Sequence, residues 1–173
     1  PELWRKIADL GWMGIMYPEK YGGTGGNELD MAVLFEEMGR AIYVSPFLST
    51  VVLGGMPVAE FGTEEQKKAI LPKLCKGELI MTMALTEPSA RYEAKAVQVE
   101  AKAEGDHYII SGTKLFVNDA NVADKIIVVA RTAKKQHPEE GITLFLVDRK
   151  APGVKVTLLK TIAGDKQCEV TFE

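Results

Sequence analysis

A chain of 173 residues, 46% hydrophobic and 26% charged, has the composition of a soluble globular protein of one domain or two small ones. A net charge of −3, from 21 basic and 24 acidic side chains, with no Lys/Arg cluster beyond Lys134-Lys135, argues against nucleic-acid binding. Cys75 and Cys168 make neither a disulfide framework nor a metal site, and read as small apolar residues of a reducing compartment.

No targeting segment is legible. The longest uncharged run, Ala41 to Ala59, is interrupted by Ser, Thr, Pro and Gly, and reads as a buried helix rather than a membrane span. The chain opens at Pro1 in what reads as a first helical turn and closes at Glu173 in a β-like run. Both ends read as cuts in a longer protein.

The first half is predicted helical. In "PELWRKIADLGWMG", Leu3, Trp4, Ile7, Ala8 and Leu10 fall at helical spacing, stopped by Gly11 or Gly14. "NELDMAVLFEEMGRA" repeats the pattern through Leu29, Ala32, Val33 and Phe35 or Glu36, with Asn27 as N-cap and Gly39 as stop. "SPFLSTVVLGGMPVAEFG" places Pro46 in a first turn after a capping Ser45. "TEEQKKAILPKLCKG" opens on the capping-box pair Thr63 and Gln66 and closes at Gly77, with Pro72 expected to kink or break it.

After Leu79 the period becomes two. Val97, Val99, Ala101 and Ala103 alternate with polar residues as in a half-solvated strand, and Gly105-Asp106 turns the chain into "HYIISGTKLFV". Ser111-Gly112 suggests a further tight turn. "KIIVVART", "GITLFLVD", "GVKVTLL" and "CEVTFE" follow. Many short strands at close intervals predict an antiparallel barrel or sandwich. The expected organisation is α+β: a helical domain over 1–78 and a β domain over 79–173, truncated at its C-terminal end.

Most candidate chemistry dissolves on inspection. "YGGTGG" at 21–26 follows no strand and fits neither G-x-G-x-x-G nor the P-loop spacing, so a flexible interhelix loop is expected. His107 and His137 have no metal or triad pattern around them and read as surface residues. Ser45, Ser49 and Ser111 lack the G-x-S-x-G context of a hydrolase nucleophile. Two polar rims remain, each following an apolar strand: Thr86-Glu87-Pro88 and "LFVNDAN" at 115–121. Pro88 ends any strand and aims the chain away from the first rim.

In order along the chain stand Pro18-Glu19-Lys20-Tyr21-Gly22-Gly23, Gly62-Thr63-Glu64-Glu65-Gln66-Lys67-Lys68, Ala84 to Pro88, and Ile110-Ser111-Gly112-Thr113-Lys114. With these the chain resembles the acyl-CoA dehydrogenase family along essentially its whole length. The resemblance implies an FAD flavoprotein and oxidoreductase of fatty-acid metabolism, with an N-terminal helical domain, a middle β domain and a C-terminal helical bundle that this chain lacks. It implies oxidation of an acyl-CoA thioester to the 2-enoyl-CoA, with an electron acceptor such as an electron-transfer flavoprotein. It also implies a homo-oligomer, in the bacterial cytoplasm or the mitochondrial matrix. Two alternatives stay open under this resemblance: a related flavoprotein on the same fold, such as an acyl-CoA oxidase or a flavin-dependent monooxygenase, or a non-enzymatic acyl-CoA- or flavin-binding relative.

Carried over by position, Met83, Ala84, Leu85 and Thr86 run along the flavin ring, with the Leu85 N–H and the Thr86 N–H and hydroxyl as donors. Phe116, Val117 and Asn118 match the second flavin segment, usually Trp-x-Thr or Trp-x-Ser; Phe116 can stack and Asn118 can donate. After Thr-Glu-Pro the family usually continues Gly-x-Gly-Ser-Asp, whereas here Ser89-Ala90-Arg91-Tyr92-Glu93 stands. Either Arg91 replaces those contacts with charge, with Tyr92 beside it in substrate binding, or the site is altered. The family's catalytic carboxylate lies in the bundle, so no catalytic base is assigned. Glu87 occupies a position that is structural in the family.

Overall fold

The computed structural model describes residues 2–89 and 91–173, so Pro1, and Ala90 within the departing stretch 89–93, lie outside the described residues. The chain divides into two compact units, Pro1–Met81 and Thr82–Glu173.

The first unit is helical: α1 (Glu2–Asp9), α2 (Glu28–Arg40), a π-helical run Ser49–Gly55 continuing into α3 (Met56–Phe61), and α4 (Glu64–Cys75). Its core holds Ile7, Met13, Tyr17, Tyr21, Met31, Phe47, Val51, Ile70, Leu71 and Leu74. All three predicted capping residues accept main-chain N–H bonds, Ser45 from Phe47 at 3.3 Å. Asn27 accepts from the N–H groups of Leu29 and Asp30, while the Asp30 carboxylate takes the Asn27 N–H. Thr63 and Gln66 make the reciprocal pair at α4.

The buried faces differ from expectation. In α1 only Ile7 is buried, and Leu3 and Leu10 are exposed. In α2 the expected face through Leu29, Ala32 and Val33 meets solvent; the inward stripe is Met31, Leu34, Phe35 and Met38. Both stripes of α2 are apolar at helical spacing, so periodicity alone does not choose between them. Of the kink or break expected at Pro72, the break is absent, and α4 runs on to Cys75. Leu71 and Leu74 beside it are wholly buried, and burial of that last turn outweighs the one hydrogen bond proline removes.

The loop "YGGTGG" is a hydrogen-bonded knot rather than the flexible connection expected. The N–H groups of Gly23, Thr24, Gly25 and Gly26 donate to the carbonyls of Pro18, Gly14, Tyr17 and Ile15. A Cβ on Gly23 would collide with the Tyr17 carbonyl, so glycine is required by the close approach. The same bonds consume the donors a phosphate would need.

The second unit is one seven-stranded sheet: β1 (Met81–Ala84), β2 (Glu100–Glu104), β3 (His107–Asn118), β4 (Lys125–Arg131), β5 (Ile142–Asp148), β6 (Val154–Leu158) and β7 (Gln167–Phe172). Strand order is β1-β4-β2-β3-β7-β6, with β5 on β4. The registered pairings are antiparallel apart from a single parallel contact, Glu100 with Arg131. The inner face is filled by Ala84, Val117, Ile126, Val128, Cys168, Val170 and Phe172. In β7 the alternation is clean, with Cys168, Val170 and Phe172 pointing inward.

Two local expectations change here. Ser111-Gly112 is not a turn: β3 passes through it, pairing with β2 before this point and with β7 after it. Gly112 carries the change of partner at φ 137, against Val99. The strand read from Val97 starts only at Glu100, although Val97 and Val99 are buried. The N–H groups of Gln98 and Val99 are diverted from any ladder to the carboxylate of Glu87.

Candidate functional site

Glu87 is the centre of the first rim. It is only 5% exposed, and its carboxylate accepts from Gln98 N–H at 2.8 Å, Val99 N–H at 3.0 Å and Lys114 Nζ at 2.7 Å. Lys114 is itself 0% exposed and also donates to the Leu85 carbonyl at 3.0 Å. Burial pushes the Lys114 ammonium below its ordinary pKa, against the opposing hydrogen bond and charge of Glu87. One residue on, Leu115 N–H donates to the Thr86 carbonyl at 2.8 Å. The carbonyls of Leu85 and Thr86 are therefore both engaged. Among the described residues nothing accepts from the Leu85 N–H, the Thr86 N–H or the Thr86 hydroxyl.

The second rim follows directly. The pairing of β3 with β7 slips between Lys114 and Val117, a bulge that re-aims the chain. Within it Phe116 takes φ 54, a left-handed conformation costing ~1–3 kcal/mol for a bulky residue, and stands 47% exposed. Thr82, wholly buried, donates its hydroxyl to the Asn118 carbonyl at 2.6 Å.

The candidate residues divide by what they present. Ala84 and Val117 point into the core and offer only main chain. Met83, Leu85 and Asn118 are half-buried, and Phe116 offers an open ring. The links from Leu85–Glu87 to Lys114–Leu115, and from Thr82 to Asn118, bring the two segments side by side. Arg91 and Tyr92 stand apart in an exposed stretch, with Tyr92 72% exposed and neither bonded to a described residue. The Lys114–Glu87 pair was missed as a site feature; the adjacency of two charged residues to otherwise apolar strands was its only sequence signal.

The alternatives dissolve again. The His107 ring bonds the neighbouring Asp106, and His137 is exposed. No group of three metal-ligating side chains occurs among the described residues. Burial pushes the Cys75 thiol up to about 11 and raises Cys168 as well, leaving neither as a ready nucleophile. No helix among the described residues is long and apolar enough to cross a membrane.

The donor set fits a flavin. Three donors without a described acceptor, at half-buried Leu85 and buried Thr86, an exposed aromatic face and the Asn118 amide suit a planar ring with an acceptor-rich edge. Residues 1–78 match the family model "Acyl-CoA dehydrogenase, N-terminal domain" and residues 82–173 match "Acyl-CoA dehydrogenase, middle domain". The probable acyl-CoA dehydrogenase YngJ of Bacillus subtilis is 37% identical over 158 residues, 90% of this chain and 42% of that protein. The crystal structure of acyl-CoA dehydrogenase from Geobacillus kaustophilus superposes with TM-score 0.90 at 31% identity, over 99% of this chain and 47% of that one. The FAD complex of PigA gives TM-score 0.89 at 29% identity, over 99% of this chain and 46% of that one. The chain thus spans under half the length of these relatives. With both family models matched in order and the fold shared throughout, the chain belongs to the acyl-CoA dehydrogenase family.

Proposed function

We propose that this chain supplies the helical and β portions of an FAD-dependent acyl-CoA dehydrogenase that oxidises an acyl-CoA thioester to its 2-enoyl-CoA. The observation that carries the reading is the pair of rims with their unengaged donors at Leu85 and Thr86. FAD would supply the acceptor for the hydride of the substrate β-carbon. Leu85 N–H, Thr86 N–H and the Thr86 hydroxyl would donate to its pyrimidine edge, where negative charge would gather on reduction. Phe116 would stack on the ring and the Asn118 amide would donate to it. Met83, Ala84 and Val117 line the same segments through their main chain.

Glu87 is excluded as the base that removes the α-proton, because three donors already hold its carboxylate. In the whole protein that base belongs to the C-terminal helical bundle implied by the family, in a dry site that raises its pKa. Arg91 and Tyr92 are assigned to the phosphate or acyl-CoA side, supported by their exposure and lack of a described partner. An electron-transfer flavoprotein as acceptor and a homo-oligomer complete the reading, in bacterial cytoplasm or mitochondrial matrix.

A second reading is favoured by the departure at 89–93: a flavin- or acyl-CoA-binding relative that does not dehydrogenate. An absorption spectrum of the full-length protein, with and without acyl-CoA, decides. Flavin bands that bleach on adding acyl-CoA in the absence of oxygen support dehydrogenation. Bands that persist favour the binding relative, and a protein that takes up no FAD overturns the dehydrogenase reading.

A further inference from the structure

We infer that Lys114 and Glu87 are positioning residues, and that Lys114 aims and strengthens the Thr86 donor by gripping the Leu85 carbonyl. This rests on the flavin reading above. In a trans peptide the C=O of one residue and the N–H of the next lie in one plane and point in opposite directions. The Lys114 ammonium, 3.0 Å from the Leu85 oxygen, therefore fixes the direction of the Thr86 N–H on the far side of the same peptide. A cation on a carbonyl also polarises the peptide, so the linked N–H becomes a better donor. Leu115 N–H at the Thr86 carbonyl holds the following peptide in the same way.

Glu87 keeps Lys114 in place. Its carboxylate is anchored by the N–H groups of Gln98 and Val99, and meets Lys114 Nζ at 2.7 Å. A buried ion pair is a weak stabiliser, because desolvation offsets much of the attraction and apolar replacements are often no worse. Its use here is directional: it holds a positive charge behind a donor that faces the opposite way. The donors are thereby set before a flavin arrives, which spares the ordering cost on binding.

Two measurements on the full-length protein test this. In Lys114→Met the flavin should become harder to reduce, since the donor facing the reduced ring is weakened. FAD should also bind about tenfold less tightly, the scale of one hydrogen bond involving a charged group. Glu87→Gln, which loosens Lys114 without removing it, should shift both in the same direction by less. A folded Lys114→Met protein with the parent's potential and affinity overturns the proposal. The second measurement needs no variant: amide hydrogen exchange of the parent stripped of flavin. Gln98, Val99 and Leu115 N–H should be protected already. If they become protected only when FAD is added, the pair does not preset the rim and the proposal fails. A parent protein that takes up no FAD sinks the flavin reading instead, while its exchange rates still decide whether the pair holds this segment.

Discussion

The Thr82 hydroxyl donates at 2.6 Å to the main-chain carbonyl of Asn118, 36 residues away. Four residues further along, the Thr86 carbonyl takes the Leu115 N–H. The exit of β1 and the end of β3 thus run in opposite directions, joined at both ends. The two candidate cofactor segments lie along this seam. In Thr82→Val the shape is kept but the Asn118 carbonyl loses its donor. The expected loss is ~1–3 kcal/mol, read as a lower urea midpoint with an unchanged slope.

Thr86→Val removes one of the three donors without a described acceptor and leaves its main chain in place. FAD affinity should fall, or the potential shift, by ~0.5–1.5 kcal/mol for a neutral contact and more where charge develops. A titration and a potential measurement both unchanged would remove this hydroxyl from the flavin site.

Arg91 is exposed and bonds no described residue, so Arg91→Ala should leave folding stability within ~0.5 kcal/mol. If Arg91 serves the phosphates in place of the family's small residues, FAD or acyl-CoA binding should weaken by ~1.5–3 kcal/mol. That deficit should shrink as salt is added. Unchanged binding of both ligands would make 89–93 a solvent loop beside an altered site.

In the helical unit, the buried Tyr17 hydroxyl donates to the Val51 carbonyl within the π-helical run. Such a run pairs each carbonyl with the N–H five residues on rather than four, and the Tyr17 hydroxyl adds a second donor from outside the helix. Tyr17→Phe removes this buried hydrogen bond, and thermal or urea unfolding should show a loss of ~0.5–1.5 kcal/mol.

Tyr21 donates to both oxygens of the Glu64 carboxylate, at 3.0 and 2.9 Å. This bond, followed by the charge of Lys20, holds the Glu64 pKa below its ordinary value of 4.5. A lowered folded pKa means the unfolded chain binds more protons in that window. The stability it contributes is present above pH 4.5 and is lost as pH falls through the folded value. Urea midpoints of the parent and Tyr21→Phe should therefore differ at neutral pH and converge in acid. A gap that stays constant with pH would remove the carboxylate from the account.

Much of this protein is decided locally and is legible in the sequence. The caps at Asn27 and Thr63 form because a side-chain oxygen meets an N–H two or three residues on, a relation within one turn. The inward residues of β7 follow from a period of two with one face buried. Other features are settled by long-range partners. Leu29 and Val33 are as apolar as Met31 and Met38, and only packing against the rest of the unit selects which stripe is covered. Val97 and Val99 carry strand periodicity, yet Glu87 captures the Gln98 and Val99 N–H groups and delays the strand. Gly112 looks like a turn residue until the strand it belongs to is seen changing partners. The candidate site shows the same division. Thr86 and Asn118 can be nominated from short motifs, because the residue types themselves carry the donors. The direction of the Thr86 N–H follows from where the Leu85 carbonyl of the same peptide is tied, to Lys114, 29 residues along the chain. A peptide's direction depends on partners that no local pattern names, so only the tertiary structure decides it.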